Sequence, residues 1–384
     1  MPTLQLPNGD GTLHAFATTA PRHFEPGKQP FNRIAYSAAH VVADARAEGD
    51  PWVSPAIDWE RTIAYRQYLW SLGLGVAEAM DTAQRGMGLD WPTSLELVRR
   101  SLEAAPEGAL VASGAGTDHI TPGPDTTIDD VIAAYEHQVE AIEALGGRII
   151  LMASRALAAC AAGPDDYRRV YGRILQGVRE PVILHWLGAM FDPALTGYWG
   201  SPDIQTAMDT CLEVIEANPG KVDGIKISLL DKRHEIDMRR RLPAGVRMYT
   251  GDDFDYAELI AGDEHGHSDA LLGIFDAIAP AAAAALGSLH RNDLSTFHSI
   301  LAPTVPLSRH IFKAPTRFYK TGVVFMAYLN GHQDHFVMVG GQQSTRSLPH
   351  LAELFRLADA AGLLSDPDRA TARMRAVLAV HGIT

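Results

Sequence analysis

Cysteine is nearly absent from this chain. Cys160 and Cys211 are the only two among 384 residues. Two thiols exclude a disulfide framework and an all-thiolate zinc site. Positive charge is also short: Lys plus Arg number 33 against 46 Asp plus Glu, a net charge of −13. That balance argues against non-specific binding to nucleic acid or anionic membrane. Long apolar runs are missing. The longest, Ala270 to Leu289, is interrupted by Asp276 and Pro280 and reads as a buried strand followed by a helix. The first residues, Met-Pro-Thr-Leu-Gln-Leu-Pro, show neither the basic start nor the apolar core of a signal peptide. A cytoplasmic enzyme-sized protein is the expectation.

What is present is rhythm. Leu4 to Leu6 and Thr12 to Phe16 flank the turn residues Pro7 to Gly11, which predicts an N-terminal β-hairpin within residues 1–30. Eight short apolar runs then alternate with longer amphipathic stretches. The predicted strands are 33–42, 75–80, 109–113, 148–153, 181–186, 222–228, 246–250 and 270–275. Between them, 127–145 has Val131, Tyr135, Val139 and Ile142 at helical spacing and stops at Gly146-Gly147. Segments 58–72, 165–178 and 201–218 read as helices too. Eight β-α units with strands apolar on both faces predict an α/β fold, a (β/α)₈ TIM barrel over residues 31–290. An open doubly wound sheet competes, but no Gly-x-Gly-x-x-Gly follows the first strand. Residues 291–384 read as a helical extension, with helices over 308–329, 348–361 and 366–380. Arg317 to Lys320 and Phe325 to Leu329 make it rich in aromatics, for packing on the barrel or on a partner helix. Gly340-Gly341 reads as a turn, without the Lys-Ser/Thr of a phosphate loop after it.

Chemistry in such barrels sits at the C-terminal ends of strands. Lys226, within Asp223-Gly224-Ile225-Lys226-Ile227-Ser228, is the most informative residue there. Burial lowers an amine pKa, and a neutral amine attacks carbonyls. The other reading is a lysine paired with Asp81, Asp118 or Asp252. His185, at the end of strand five, either moves protons or is hydrogen-bonded within the barrel top.

Taken together, these motifs resemble the class I aldolase family of dihydrodipicolinate synthase and N-acetylneuraminate lyase. Gly224-Ile225-Lys226 resembles its Schiff-base strand. Gly114-Ala115-Gly116-Thr117 resembles its strand-three glycine turn, Pro181 to Leu184 its strand five, and Gly251-Asp252-Asp253 its strand-seven turn. The resemblance implies a lyase or aldolase that makes or breaks a C–C bond in a small oxo acid or oxo sugar, with Lys226 as imine nucleophile and His185 as proton carrier. It implies a substrate set of Asp81, Thr82, Gly116, Asp118, His119, Gly251 and Asp252, with Asp118 and Asp252 on substrate hydroxyls. It also implies a homo-oligomer needing no cofactor. Two departures stand out. His185 occupies the place of the family's usual relay tyrosine, and the strand-two turn, Asp81 to Gly86, has a single threonine. Arg85 then reads as a carboxylate partner or as an exposed loop residue. An acidic cleft predicts a neutral polyhydroxylated substrate.

Two alternatives remain. Asp118, His185, His265 and His267 are donors of a kind that hold Mn²⁺, Mg²⁺ or Zn²⁺, which would make the barrel a sugar isomerase or epimerase with Lys226 as base. A binding protein without turnover is the other.

Overall fold

The computed structural model describes residues 2–25 and 31–383. The end of the predicted N-terminal linker, 26–30, lies outside the described residues. Strands β1 (Thr3–Pro7) and β2 (Leu13–Ala17) pair antiparallel as a hairpin. Its turn is held by the Asp10 carboxylate, which accepts from Thr12 N at 3.0 Å and from the Thr12 hydroxyl at 2.6 Å.

The eight predicted barrel strands are all found. They are β3 (Ala35–Ala38), β4 (Gly75–Glu78), β5 (Val111–Ala115), β6 (Arg148–Leu151), β7 (Val182–Leu187), β8 (Val222–Ser228), β9 (Arg247–Thr250) and β10 (Asp269–Leu272). All pair in parallel, and β10 returns to β3, closing the barrel. Helices follow the strands, and most of the longer ones begin at an Asp, Ser or Thr cap. Thr127 and Asp130, for example, form a reciprocal capping box.

Two apolar compartments result. Tyr36, Ala77, Ile150, Ile183, Tyr249 and Leu271 fill the barrel interior, and a larger cluster lies between barrel and helices. Above the inner plug, at the C-terminal end, the lining turns polar with His185, Lys226, Ser228 and Asp253, all buried.

The C-terminal extension is helical, but 308–329 is not one helix. Val305–Ile311 ends before Pro315, and a new helix runs Tyr319–Asn330. Proline disfavours helical backbone in the residue before it and supplies no N–H. Phe312 and Tyr319, on either side of the break, stack at 4.4 Å. The aromatic-rich helix Tyr319–Asn330 is buried along nearly its whole length, so it is core against the barrel. The last two helices, Leu348–Ala360 and Pro367–Val380, carry the N-terminal hairpin. Arg356 donates to Leu6 O at 3.4 Å and Pro7 O at 3.2 Å, and Thr19 N donates to Asp359 at 2.9 Å. Among the described residues, no helix is long and apolar enough to cross a membrane.

Candidate active site

Parallel pairing puts His185 of β7 beside Lys226 of β8, and Lys226 beside Tyr249 of β9. In-register neighbours share a face, as do residues two apart on one strand. His185, Lys226 and Ser228 therefore point into the barrel together. His185 Nε2 stands 3.4 Å from Ser228 Oγ, and its Nδ1 is buried without a partner among the described residues.

Lys226 is 7% exposed. Among the described residues its amine makes no hydrogen bond and no ion pair within 4.0 Å, and the carboxylates that act on it do so from further away. Asp253 and Asp81 supply the negative charge nearest to it in effect. Burial lowers the Lys226 amine and raises the Asp253 carboxyl, so both shifts favour the neutral forms. Burial, with the Lys226 charge adding to it, pulls His185 well below the usual imidazole range.

These groups face a cavity of about 10 Å³, with Asp81, Thr82, Phe191 and Tyr319 in its wall. That is room for about one water. Tyr319 comes from the C-terminal extension, and its hydroxyl lies 2.8 Å from Thr82 Oγ1. Burial, with the charge of Asp81 adding to it, raises the phenol well above its ordinary value, so it stays protonated and able to donate. An outer cleft of about 510 Å³ adjoins the inner cavity, with Asp81, Leu187 and Phe191 as common walls.

The other predicted residues divide. Gly251 packs directly on Lys226, where a Cβ would stand 2.7 Å from Lys226 Cε. Asp252 turns to the backbone, accepting from Phe254 N at 2.8 Å and Asp255 N at 3.0 Å. Its neighbour Asp253, not assigned from sequence, lines the cavity instead and accepts from Ile274 N at 2.8 Å.

Gly116, Asp118 and His119 belong to a neighbouring network around Gln138 and Arg85. Gln138 Oε1 accepts from Gly116 N at 2.7 Å, and its Nε2 reaches Asp118 at 3.0 Å and His119 Nδ1 at 2.8 Å. Arg85 is neither a free carboxylate partner nor exposed. It is buried and spends its donors on Ala79 O, Gly114 O, Gln138 and both oxygens of Asp118. Burial opposes ionisation of Asp118, but the bonds and charge of Arg85 hold its carboxyl down at about 2.

The residues of the metal alternative do not converge. His265 and His267 precede β10 and so lie at the N-terminal end of the barrel, away from His185. His265 is exposed beside Glu264. Among the described residues, no group of three or more His, Cys, Asp or Glu is placed to hold a metal.

The expectation of an acidic cleft also needs correcting. With Asp118 bound to Arg85 and Asp252 turned to the backbone, the outer cleft holds Arg155, Arg317 and Lys320 against Asp81 and Asp192.

The sequence family described as "Protein of unknown function (DUF993)" matches residues 4–383. The chain belongs to that family. No curated protein matches it. Solved structures do match the fold of this DUF993 chain. A prophage protein of the dihydrodipicolinic acid synthase family from E. coli K12, solved in complex with pyruvate, gives a TM-score of 0.66 at 14% identity, covering 86% of this chain and 99% of its own. Dihydrodipicolinate synthase from Thermotoga maritima gives 0.64 at 15% identity, covering 89% and 100%. The Oceanobacillus iheyensis enzyme gives 0.60 at 15%, covering 84% and 96%. The DUF993 chain thus has the barrel fold of the dihydrodipicolinate synthases, as its motifs imply.

Proposed function

We propose that the protein is a Schiff-base-forming lyase or aldolase acting on a small oxo compound through Lys226. One observation carries this reading: an almost wholly buried amine, without a hydrogen bond among the described residues, faces a polar cavity at the C-terminal end of the barrel. The fold shared with the dihydrodipicolinate synthases supports it.

In this mechanism the neutral Nζ attacks the carbonyl carbon of the substrate. The carbinolamine loses its oxygen as water, leaving a protonated imine. That cation accepts the electron pair released when the neighbouring C–C bond breaks, and returns it when the bond forms. Protons move through groups on the cavity wall. Tyr319, held by Thr82, is one donor. His185, kept neutral by burial, is the other carrier, reaching outward through Ser228. The inner cavity admits the reacting carbonyl, and the rest of the substrate lies in the outer cleft.

Borohydride tests this reading. Reduction in the presence of pyruvate or glycolaldehyde should fix the compound on the peptide holding Gly224 to Ser228. Lys226→Arg should abolish labelling, because guanidinium stays protonated. His185→Phe should slow C–C cleavage by roughly 10²- to 10⁴-fold while labelling persists. Absence of any adduct on Lys226 across such carbonyl compounds overturns the reading.

A further inference from the structure

The outer cleft is built partly from sequence that lies beyond the barrel. Lys320 and Arg317 flank the start of the helix Tyr319–Asn330. Gly341, Ser344 and Thr345 come from the turn after it, and Arg155 opens the helix that follows β6.

Lys320 is the unusual member. Its side chain is 5% exposed, yet among the described residues it meets no carboxylate within ion-pair distance. The ammonium donates to Arg317 O at 3.1 Å and contacts Met87 Sδ at 3.3 Å, a weak acceptor. An ammonium carries three donors. The ammonium also lies 4.8 Å from the centre of the Tyr319 ring, so one protein oxygen, a thioether and an aromatic face are its partners, and a full-strength anionic acceptor is what it lacks. Burial, together with the charges of Arg155 and Arg317, lowers Lys320 to about 8, while Asp81 and Asp192 oppose the shift.

Arg317 is likewise in no ion pair among the described residues, lying only over the ring of Phe318. Arg155 alone is paired, with Asp192. A buried ammonium without a direct ion-pair partner is costly unless an anion arrives. Ser344 and Thr345 add hydroxyl donors at the same wall.

We propose that the outer cleft is an oxyanion subsite in which Lys320, Arg317 and Arg155 receive a phosphate monoester carried on the far end of the oxo substrate. This rests on the imine reading for the place of the carbonyl, since Asp81 and Phe191 bound both the cleft and the cavity at Lys226. The proposal turns the C-terminal extension into the part of the protein that selects the substrate. It replaces the neutral polyhydroxylated compound expected from composition with a charged one.

The test compares glycolaldehyde phosphate with glycolaldehyde in borohydride trapping on Lys226, using the full chain. The ester should be trapped at concentrations roughly tenfold or more below those needed for the aldehyde, the worth of one charge-assisted hydrogen bond. Inorganic phosphate should compete with the ester. The ester-to-aldehyde ratio should fall by about tenfold in Lys320→Met and in Arg317→Ala. Arg317 is exposed, so the second variant keeps the test alive if the first folds poorly. Equal trapping of the two compounds, or a ratio unchanged in both variants, overturns the proposal. If neither compound is trapped, the imine reading has failed and the subsite is judged by calorimetry with inorganic phosphate alone. Saturable binding weakened in both variants then supports the subsite, and no binding overturns it.

Discussion

Gly251→Ala is a demanding test of the inner site, because the glycine is there for space. Its backbone is not in the left-handed region, so an alanine faces no conformational penalty. Room is the obstacle. A Cβ would stand 2.6 Å from Ile227 O and 2.7 Å from Lys226 Cε, and it would run into Ser228 Oγ. The carbonyl cannot yield, since it accepts the β8–β9 hydrogen bond from Gly251 N itself at 2.9 Å. The movable partner is the lysine. Carbon atoms rest about 3.5–4.0 Å apart, so Cε must retreat by about 0.8 Å or more. Overpacking of this kind costs about 1–3 kcal/mol. Misplacing a reacting group by about 1 Å costs up to about 10²-fold in rate. Thermal melting and the rate of the borohydride-trapped glycolaldehyde adduct should therefore both fall, the rate by about 10- to 100-fold. A Gly251→Ala chain that melts and labels like the unaltered one would refute the close packing of Lys226 against β9.

Arg85→Met should destabilise the barrel by about 3–5 kcal/mol, because it leaves Asp118 without its counter-charge in a largely buried site and leaves Gln138 Oε1 with Gly116 N as its one remaining donor. Chemical denaturation reads this, and a loss below about 1 kcal/mol would contradict the network described. Burial raises Glu235 from 4.5 to about 8, although Ser268 donates to it at 2.7 Å. The folded state therefore holds this proton more tightly than the unfolded chain. Its contribution is fully present below about pH 4.5 and is lost as pH rises through about 8. Glu235→Gln should flatten that decline in a melting series from acid to alkaline pH, and an unchanged slope would count against the shift.

The barrel was legible because its strands are bounded by polar and glycine-rich turns. Val222–Ser228 is predicted to the residue. Strand 270–275 is predicted too long because Leu271 to Phe275 is apolar throughout, while the helix Ile274–Ala277 starts after Gly273. Lys226 and His185 could be placed by strand position alone. Asp253 could not be told from Asp252, because the chain leaves β9 at Thr250 and strand alternation ends there. His265 and His267 have donor chemistry, but a loop before a parallel strand lies at the opposite end of the barrel from the site. Tyr319 and Lys320 had one signal, the aromatic and cationic run Arg317 to Lys320. No spacing in the sequence ties that run to Thr82 or Met87, which it meets only after the extension folds across the barrel mouth.

The joining of the N-terminal hairpin to the last two helices has a consequence for biosynthesis. All eight barrel strands have been made once Leu272 is added, so the residues of β7 and β8 precede Tyr319 and Lys320 in synthesis. The helix carrying these two is packed against the helix Pro367–Val380, which in turn docks on the hairpin made first. On the proposed reading, the Tyr319 donor and the anion subsite are thus the last parts of the site to be made. On that reading, a chain ending before Tyr319 would hold the Lys226 amine and His185 but neither the Tyr319 donor nor the Lys320 cation.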